Sequence, residues 1–187
     1  IVANSASAGN GGGIASQSAV TLLNSTLSDN FALQGGGIYS DGTNPVTIAF
    51  STIVANTATA SSGKGGGIFL GGSSLSLNCT IVAANMATIG PDISLGAGVK
   101  VNILYSLIGD KSGTSLIEAP VGYADSKGNL IGGPVNGVID PKLSALVDNG
   151  GPTPTHSPLA GSPAINAGDP AATAGANSVP LADQRGA

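Results

Sequence analysis

Apolar and polar positions alternate strictly in four short stretches: V-T-L at 20–22, V-T-I at 46–48, L-S-L at 75–77 and V-K-V at 99–101. A period of two predicts strands with one face turned inward. The stretches recur in step with one another. Val20, Val46, Leu75 and Val99 form one column, and Ile14, Ile38, Ile68 and Ile93 form another. Ile1, Leu27, Ile53, Ile81 and Leu107 form a third, with steps of 26, 26, 28 and 26 residues, and Asn4, Asn30, Asn56 and Asn85 follow it three or four positions later. A period in the twenties with several columns in step is the mark of a solenoid, in which each coil covers its apolar face only against its neighbours.

The residue types within one repeat decide the kind of solenoid. G-G-G-I at 11–14, 35–38 and 65–68 interrupts each unit, so no stretch of ten residues can carry a helical pattern. Three short strands per coil, each about 4.8 Å from its copy in the next, predict an all-β, right-handed parallel β-helix of four to five coils. The coils run over 11–34, 35–64, 65–89 and 90–112, with loop residues added at 41–45 and 59–64. Leu27, Ile53, Ile81, Leu107, Val20, Val46, Leu75 and Val99 are the expected core columns. Asn4, Asn30, Asn56 and Asn85 read as an internal ladder, because Asn tolerates left-handed turns and stacked copies hydrogen-bond along the axis. An exposed ligand surface is the competing reading of that column. In the fourth coil G-P-D-I replaces G-G-G-I, and Asp110 stands near the asparagine column, so the repeat closes there.

The pattern changes after residue 112. Nine of the eleven prolines lie from Pro120 onward, and proline removes a ladder donor and fixes φ. Residues 113–187 therefore read as an irregular Pro/Gly-rich cap packed on the last coil, after coils spanning 1–112. Within it, Asp148, Asp169, Asp183 and Arg185 are expected to pin the tail through charge-assisted hydrogen bonds. His156, the single histidine, reads as a hydrogen-bonded cap residue rather than a general base, since no nucleophile pattern accompanies it. Because Ile1 matches Ile53 in mid-repeat, the chain is expected to be a piece of a longer protein, or to be covered by another chain at that edge.

Composition narrows the chemistry. Only 9% of the 187 residues are charged and 3% aromatic, and the net charge is −4 without a Lys or Arg cluster. That argues against nucleic acid and anionic membrane surfaces as partners. No apolar run is long enough to span a bilayer. Cys79, the only cysteine, is placed in the column of Ser25 and Ser51 as a small buried residue. A lyase or hydrolase of this fold needs clustered acids with a base, or paired carboxylates, and the coil strands carry almost none. Lys100 is the one base on a coil strand, aligned with Thr21, Thr47 and Ser76 as part of a solvated face. No catalytic, cofactor-binding or metal-binding residue is expected. The glycine runs lack the Lys and Ser or Thr of a phosphate loop.

The G-G-G-I units with S-T-I-x-x-N resemble the repeats of polymorphic outer membrane proteins and related bacterial right-handed β-helix surface proteins. In the tail, N-L-I-G (129–132), I-D-P-K-L (139–143), D-N-G-G-P-T-P-T-H (148–156), G-S-P-A-I-N-A-G-D (161–169) and D-Q-R-G (183–186) occur in that order. Together they resemble the C-terminal block of the choice-of-anchor Q domain, a β-helical module of large secreted bacterial proteins. The resemblance implies export, display at or beyond the cell surface, and a sorting or anchoring segment beyond Ala187. It implies no catalytic residues. The expected role is a non-enzymatic spacer, adhesive or self-associating module, with homo-oligomeric or end-to-end contacts through the open coil edge and a surface glycan or protein as ligand. A carbohydrate-active enzyme, or a carbohydrate- or calcium-binding module, is the alternative.

Overall fold

A computed structural model of the chain describes residues 1–120 and 122–186. Val121 and Ala187, both within the expected cap, lie outside the described residues. Repeated strands stack parallel and in register into four sheets, as an all-β solenoid five strands deep along its longest face. The glycine-led sheet holds Ile14–Ser16, Ile38–Ser40, Ile68–Leu70 and Ile93–Leu95. The alternating sheet holds Val20–Leu23, Val46–Ala49, Ser74–Asn78 and Lys100–Leu104. The third, five-stranded sheet holds Thr26–Ser28, Thr52–Val54, Ile81–Ala83, Leu107–Ile108 and Leu130–Ile131. The first coils also carry a fourth, two-residue strand (Ser5–Ala6, Phe31–Ala32, Thr57–Ala58) just past the asparagine. The expected three strands per coil miss it because two residues show no alternation.

Corners carry the repeat's strained backbone. Asn24, Phe50, Cys79 and Tyr105 share one corner with φ between 46° and 50°, and Asp29, Ala55 and Ala84 share the next with φ between 55° and 57°. Left-handed geometry is uncommon for non-glycine residues and rarest for bulky ones, so stacking against neighbouring coils must hold Phe50 and Tyr105 there. At the remaining corner Gly35 has φ +59°, and a Cβ on nearby Gly37 would lie 2.5 Å from the Gly67 carbonyl and 3.3 Å from the Asn56 side chain. The G-G-G-I signature thus combines a left-handed turn with a close approach to the ladder.

Two expected columns need correction. Leu27 does sit beside Ile53 and Ile81 beside Leu107, as expected, but the step between them fails: Ile53 pairs with Val82 and Val82 with Ile108, while Ile81 pairs with Thr52 and Leu107 with Leu130. The interior column is therefore Leu27, Ile53, Val82, Ile108 and Ile131, all in the main core. Ile81 and Leu107 face outward into a second apolar layer with Ala83 and Leu130, closed by Ile139, Ala164 and Ala167 of the tail. A strand covered on both faces reads as a continuous apolar run, here I-V-A and L-I, so alternation cannot reveal which residues point in. In the alternating sheet, Val20, Val46 and Leu75 align as expected, but Leu75 pairs with Val101. Val99 precedes the strand and packs against the core from its edge. Lys100 consequently pairs with Ser74, and Asn102 with Ser76.

The segment after residue 112 touches both ends of the solenoid. Leu130–Ile131 adds the last strand to the third sheet, and Ala119 N–H donates to the Ile131 carbonyl. Further on, the chain returns along the outer face of that sheet. His156 Nε2 lies 2.9 Å from Ser28 Oγ, Asn24 Nδ2 donates to the Ala182 carbonyl at 2.7 Å, and Thr26 Oγ1 lies 2.7 Å from Gln184 Oε1. All three coil partners belong to the first coil. The outward column Ser28, Val54 and Ala83 is accordingly buried.

Candidate functional site

The asparagine column forms the expected ladder. Asn4 Nδ2 donates to Asn30 Oδ1 at 2.8 Å, Asn30 to Asn56 at 2.8 Å and Asn56 to Asn85 at 2.9 Å, and each acceptor oxygen also takes the backbone N–H of the preceding asparagine. Asn30, Asn56 and Asn85 are buried, which removes them as a ligand surface; only Asn4 is exposed. The ladder ends on a carboxylate. Asp92 Oδ1 accepts from the Asn85 side chain at 2.9 Å and its backbone N–H at 3.1 Å, and Oδ2 accepts from Asp110 N–H at 2.6 Å. Asp110 thus enters the column by its backbone, while its carboxylate caps Ser112 N–H. The final rung needs an acceptor on both sides, which Asn cannot offer and Asp can.

Asp92 is 1% exposed. Burial pushes its carboxyl up to about 6, against the opposing pull of the Asn85 and Asp110 N–H groups. The native state therefore holds this proton more tightly than the unfolded chain. Its contribution favours folding below about pH 4 and is lost as the pH rises through about 6. Relative to Asp92→Asn, which cannot titrate, wild-type stability in urea should fall by about 2 kcal/mol between about pH 4 and pH 7. Parallel curves for the two proteins would show that this carboxyl does not feel the core.

The cap residues divide by role. Asp148 and Asp169 accept from Gly150 and Ala171 N–H within their own turns. Asp183 accepts from Arg185 Nε at 2.7 Å and from Arg185 N–H, two residues along the same turn. Each of these carboxylates thus accepts a backbone donor two residues away in its own turn. The Asp169 backbone hydrogen-bonds Cys79 of the third coil, and His156 bridges to the first coil. Its Nδ1 lies 2.8 Å from the Ser144 carbonyl, which fixes that nitrogen as the donor. Its contact with Ser28 has the spacing of a nucleophile and its base. Ser28, however, has no exposed surface, and its single hydroxyl proton points to Asp29 Oδ2 at 2.9 Å. No substrate atom can reach that hydroxyl, so the pair acts as a clasp. Beside it, a cleft of about 440 Å³ opens between the tail and Asn24, Thr26, Phe50 and Thr52.

Cys79 also shifts from its expected column. Thr80 stands beside Ser51 and its N–H donates to Ser106 Oγ at 3.1 Å, while Cys79 occupies the left-handed corner. Burial pushes its thiol above the usual range.

Sequence reasoning missed one feature on the glycine-led sheet. Tyr39 and Phe69, paired in register on its outer face, stack with centroids 5.1 Å apart and planes 18° from parallel, and Lys64 Nζ lies 5.9 Å over the Phe69 ring. G-G-G-I-Y and G-G-G-I-F place both rings one position after the glycine-led isoleucine, which was the available signal. Tyr39 donates to Asp41 Oδ2 at 3.1 Å; burial and this neighbour push its phenol above the ordinary range.

No family model, curated protein or solved structure matches the chain.

Function must therefore be read from the residues. Among the described residues no group of three or more His, Cys, Asp or Glu side chains converges as a metal-binding set, and no helix is long and apolar enough to cross a membrane. The ten acids are all engaged. Asp92 closes the ladder. Asp110, Asp125, Asp140, Asp148, Asp169 and Asp183 accept N–H groups of nearby turn residues, Glu118 holds the N–H groups of Val135 and Asn136, and Asp29 and Asp41 accept hydroxyls.

Proposed function

We propose that the chain is a passive β-solenoid module of an exported bacterial surface protein, serving as a stiff spacer or adhesive element without turnover of its own. The observation that carries this reading is the use of the carboxylates. Glycosidic hydrolysis on such a scaffold needs two of them facing one groove at a fixed separation. Among the described residues each carboxylate is taken up by turn, hydroxyl or ladder donors, and Asp92, which accepts the Asp110 N–H, is sealed in the core. Conversely, the ladder and both apolar layers converge on rigidity, with repeat stability carried by neighbour contacts. Export and surface display rest on the likeness of the tail motifs to the choice-of-anchor Q block.

Incubation with pectin, chitin and β-glucans tests the passive role, read by reducing ends and by unsaturated uronate absorbance. No product is expected. Turnover that disappears in a folded Asp41→Asn variant would contradict it. Antibody labelling of intact, unpermeabilised cells tests display; signal only after permeabilisation would contradict that half.

A further inference from the structure

The aromatic column on the glycine-led sheet stops one residue short. Phe69 covers one face of the Tyr39 ring, and the register partner on the other side is Ala15, which is exposed and too small to cover it. The uncovered face borders a notch of about 210 Å³ lined by Asn10, Ala15, Ser16, Gln17, Tyr39 and Asp41. One flat apolar wall with a carboxylate, two amides and a phenol at its rim is a small site with convergent polar groups.

Two kinds of ligand chemistry suit an aromatic face beside a carboxylate: a cationic side chain, and a sugar ring laid on its C–H face. A guanidinium or ammonium only donates hydrogen bonds: it could use Asp41 and the amide oxygens, but the Gln17 side-chain N–H groups, unlike the Asn10 amide that already meets the Tyr39 hydroxyl, would find no acceptor in it. Sugar hydroxyls both donate and accept. Asp41 and the net charge of −4 disfavour an acidic sugar. The notch is smaller than the roughly 300 Å³ at which drug-sized sites begin, so it suits one ring. We propose that it binds a single neutral pyranose of a glycan, C–H face on Tyr39 and hydroxyls toward Asp41 and Asn10. This deepens the adhesive reading above and rests on it only in treating the coil as a passive scaffold.

The test is titration of the ¹⁵N-labelled protein with cellotetraose and with β-1,4-galactotetraose to about 10 mM, above the dissociation constant on the order of 1 mM expected of a one-ring site. Amide shifts should be confined to the vicinity of Asn10, Ala15, Tyr39 and Asp41. Affinity should fall at least about ten-fold in Tyr39→Ser, which installs the residue the same column already carries at Ser94. It should also fall in Ala15→Phe, which continues the ring column into the notch and should raise the melting temperature. The proposal is overturned by a folded wild type silent to both sugars, by variants that bind as well as wild type, or by shifts produced by an arginine-rich peptide and not by the sugars. Polysaccharide turnover would instead overturn the passive reading, so the two failures are distinguishable.

Discussion

Val82→Asp should abolish cooperative folding, while Ile81→Asp, one residue earlier, should leave a folded protein of lowered stability. Val82 is fully buried between Ile53 and Ile108 in the interior column. A carboxylate there has no partner and must either stay charged in an apolar core or take up a proton at high cost. A loss of about 5 kcal/mol or more would match the whole stability of many domains of this size. Ile81 is half-buried on the outer face under Ala164 and Ala167. There the new carboxylate can reach water by displacing the tail, at a cost of about 1–2 kcal/mol. Urea unfolding followed by circular dichroism separates the two. Equal losses, or a larger one for Ile81→Asp, would place Ile81 inside.

The second large effect belongs to Asn56. Its Oδ1 receives two donors from Asn30, and its Nδ2 reaches the carbonyls of Leu27 and Val54 and the Asn85 side chain, at 2.8–3.1 Å. Asn56→Ala strands the Asn30 N–H without an acceptor, removes both carbonyl contacts and leaves a gap in a packed column. The expected loss is about 3–5 kcal/mol. Asn56→Asp should be worse, since its second oxygen would face three acceptors at about 3 Å. Asn4→Ala, at the exposed first rung, should cost under about 1 kcal/mol. Chemical denaturation of the three variants checks the order, and a uniform cost along the column would show that the asparagines act independently rather than as a ladder.

Much of this architecture was legible because tight coils repeat their chemistry. The ladder, the G-G-G-I corner, the column of Ile14 and the first three members of the column of Val20 needed only the period. What failed was register where burial is two-sided. Across the third coil, I-V-A offers two apolar candidates for one interior position, and alignment on identity chose Ile81. The asparagines held the correction: Asn56 to Asn85 is 29 residues, as is Ile53 to Val82, whereas Ile53 to Ile81 is 28. Val99 failed for a similar reason, since Val99, Val101 and Ile103 all alternate and either pair fits. Counting back from Ser106 favours Val101 and Ile103, because Leu77 lies three residues before Thr80 as Ile103 does before Ser106. The return of the tail along the third sheet was not legible at all. Its contacts are scattered hydrogen bonds such as His156 to Ser28, 128 residues apart, and isolated small residues such as Ala164 and Ala167, and no periodicity marks them.

Methyl–methyl NOEs within the third sheet measure the stacking without any substitution. An unbroken chain of contacts from Leu27 through Ile53, Val82 and Ile108 to Ile131, with Ile81 and Leu107 reporting instead to Ala164 and Ala167, is the expected result. Strong contacts from Ile53 to Ile81 in place of Val82, with Val82 facing the tail, would contradict the stacking described here.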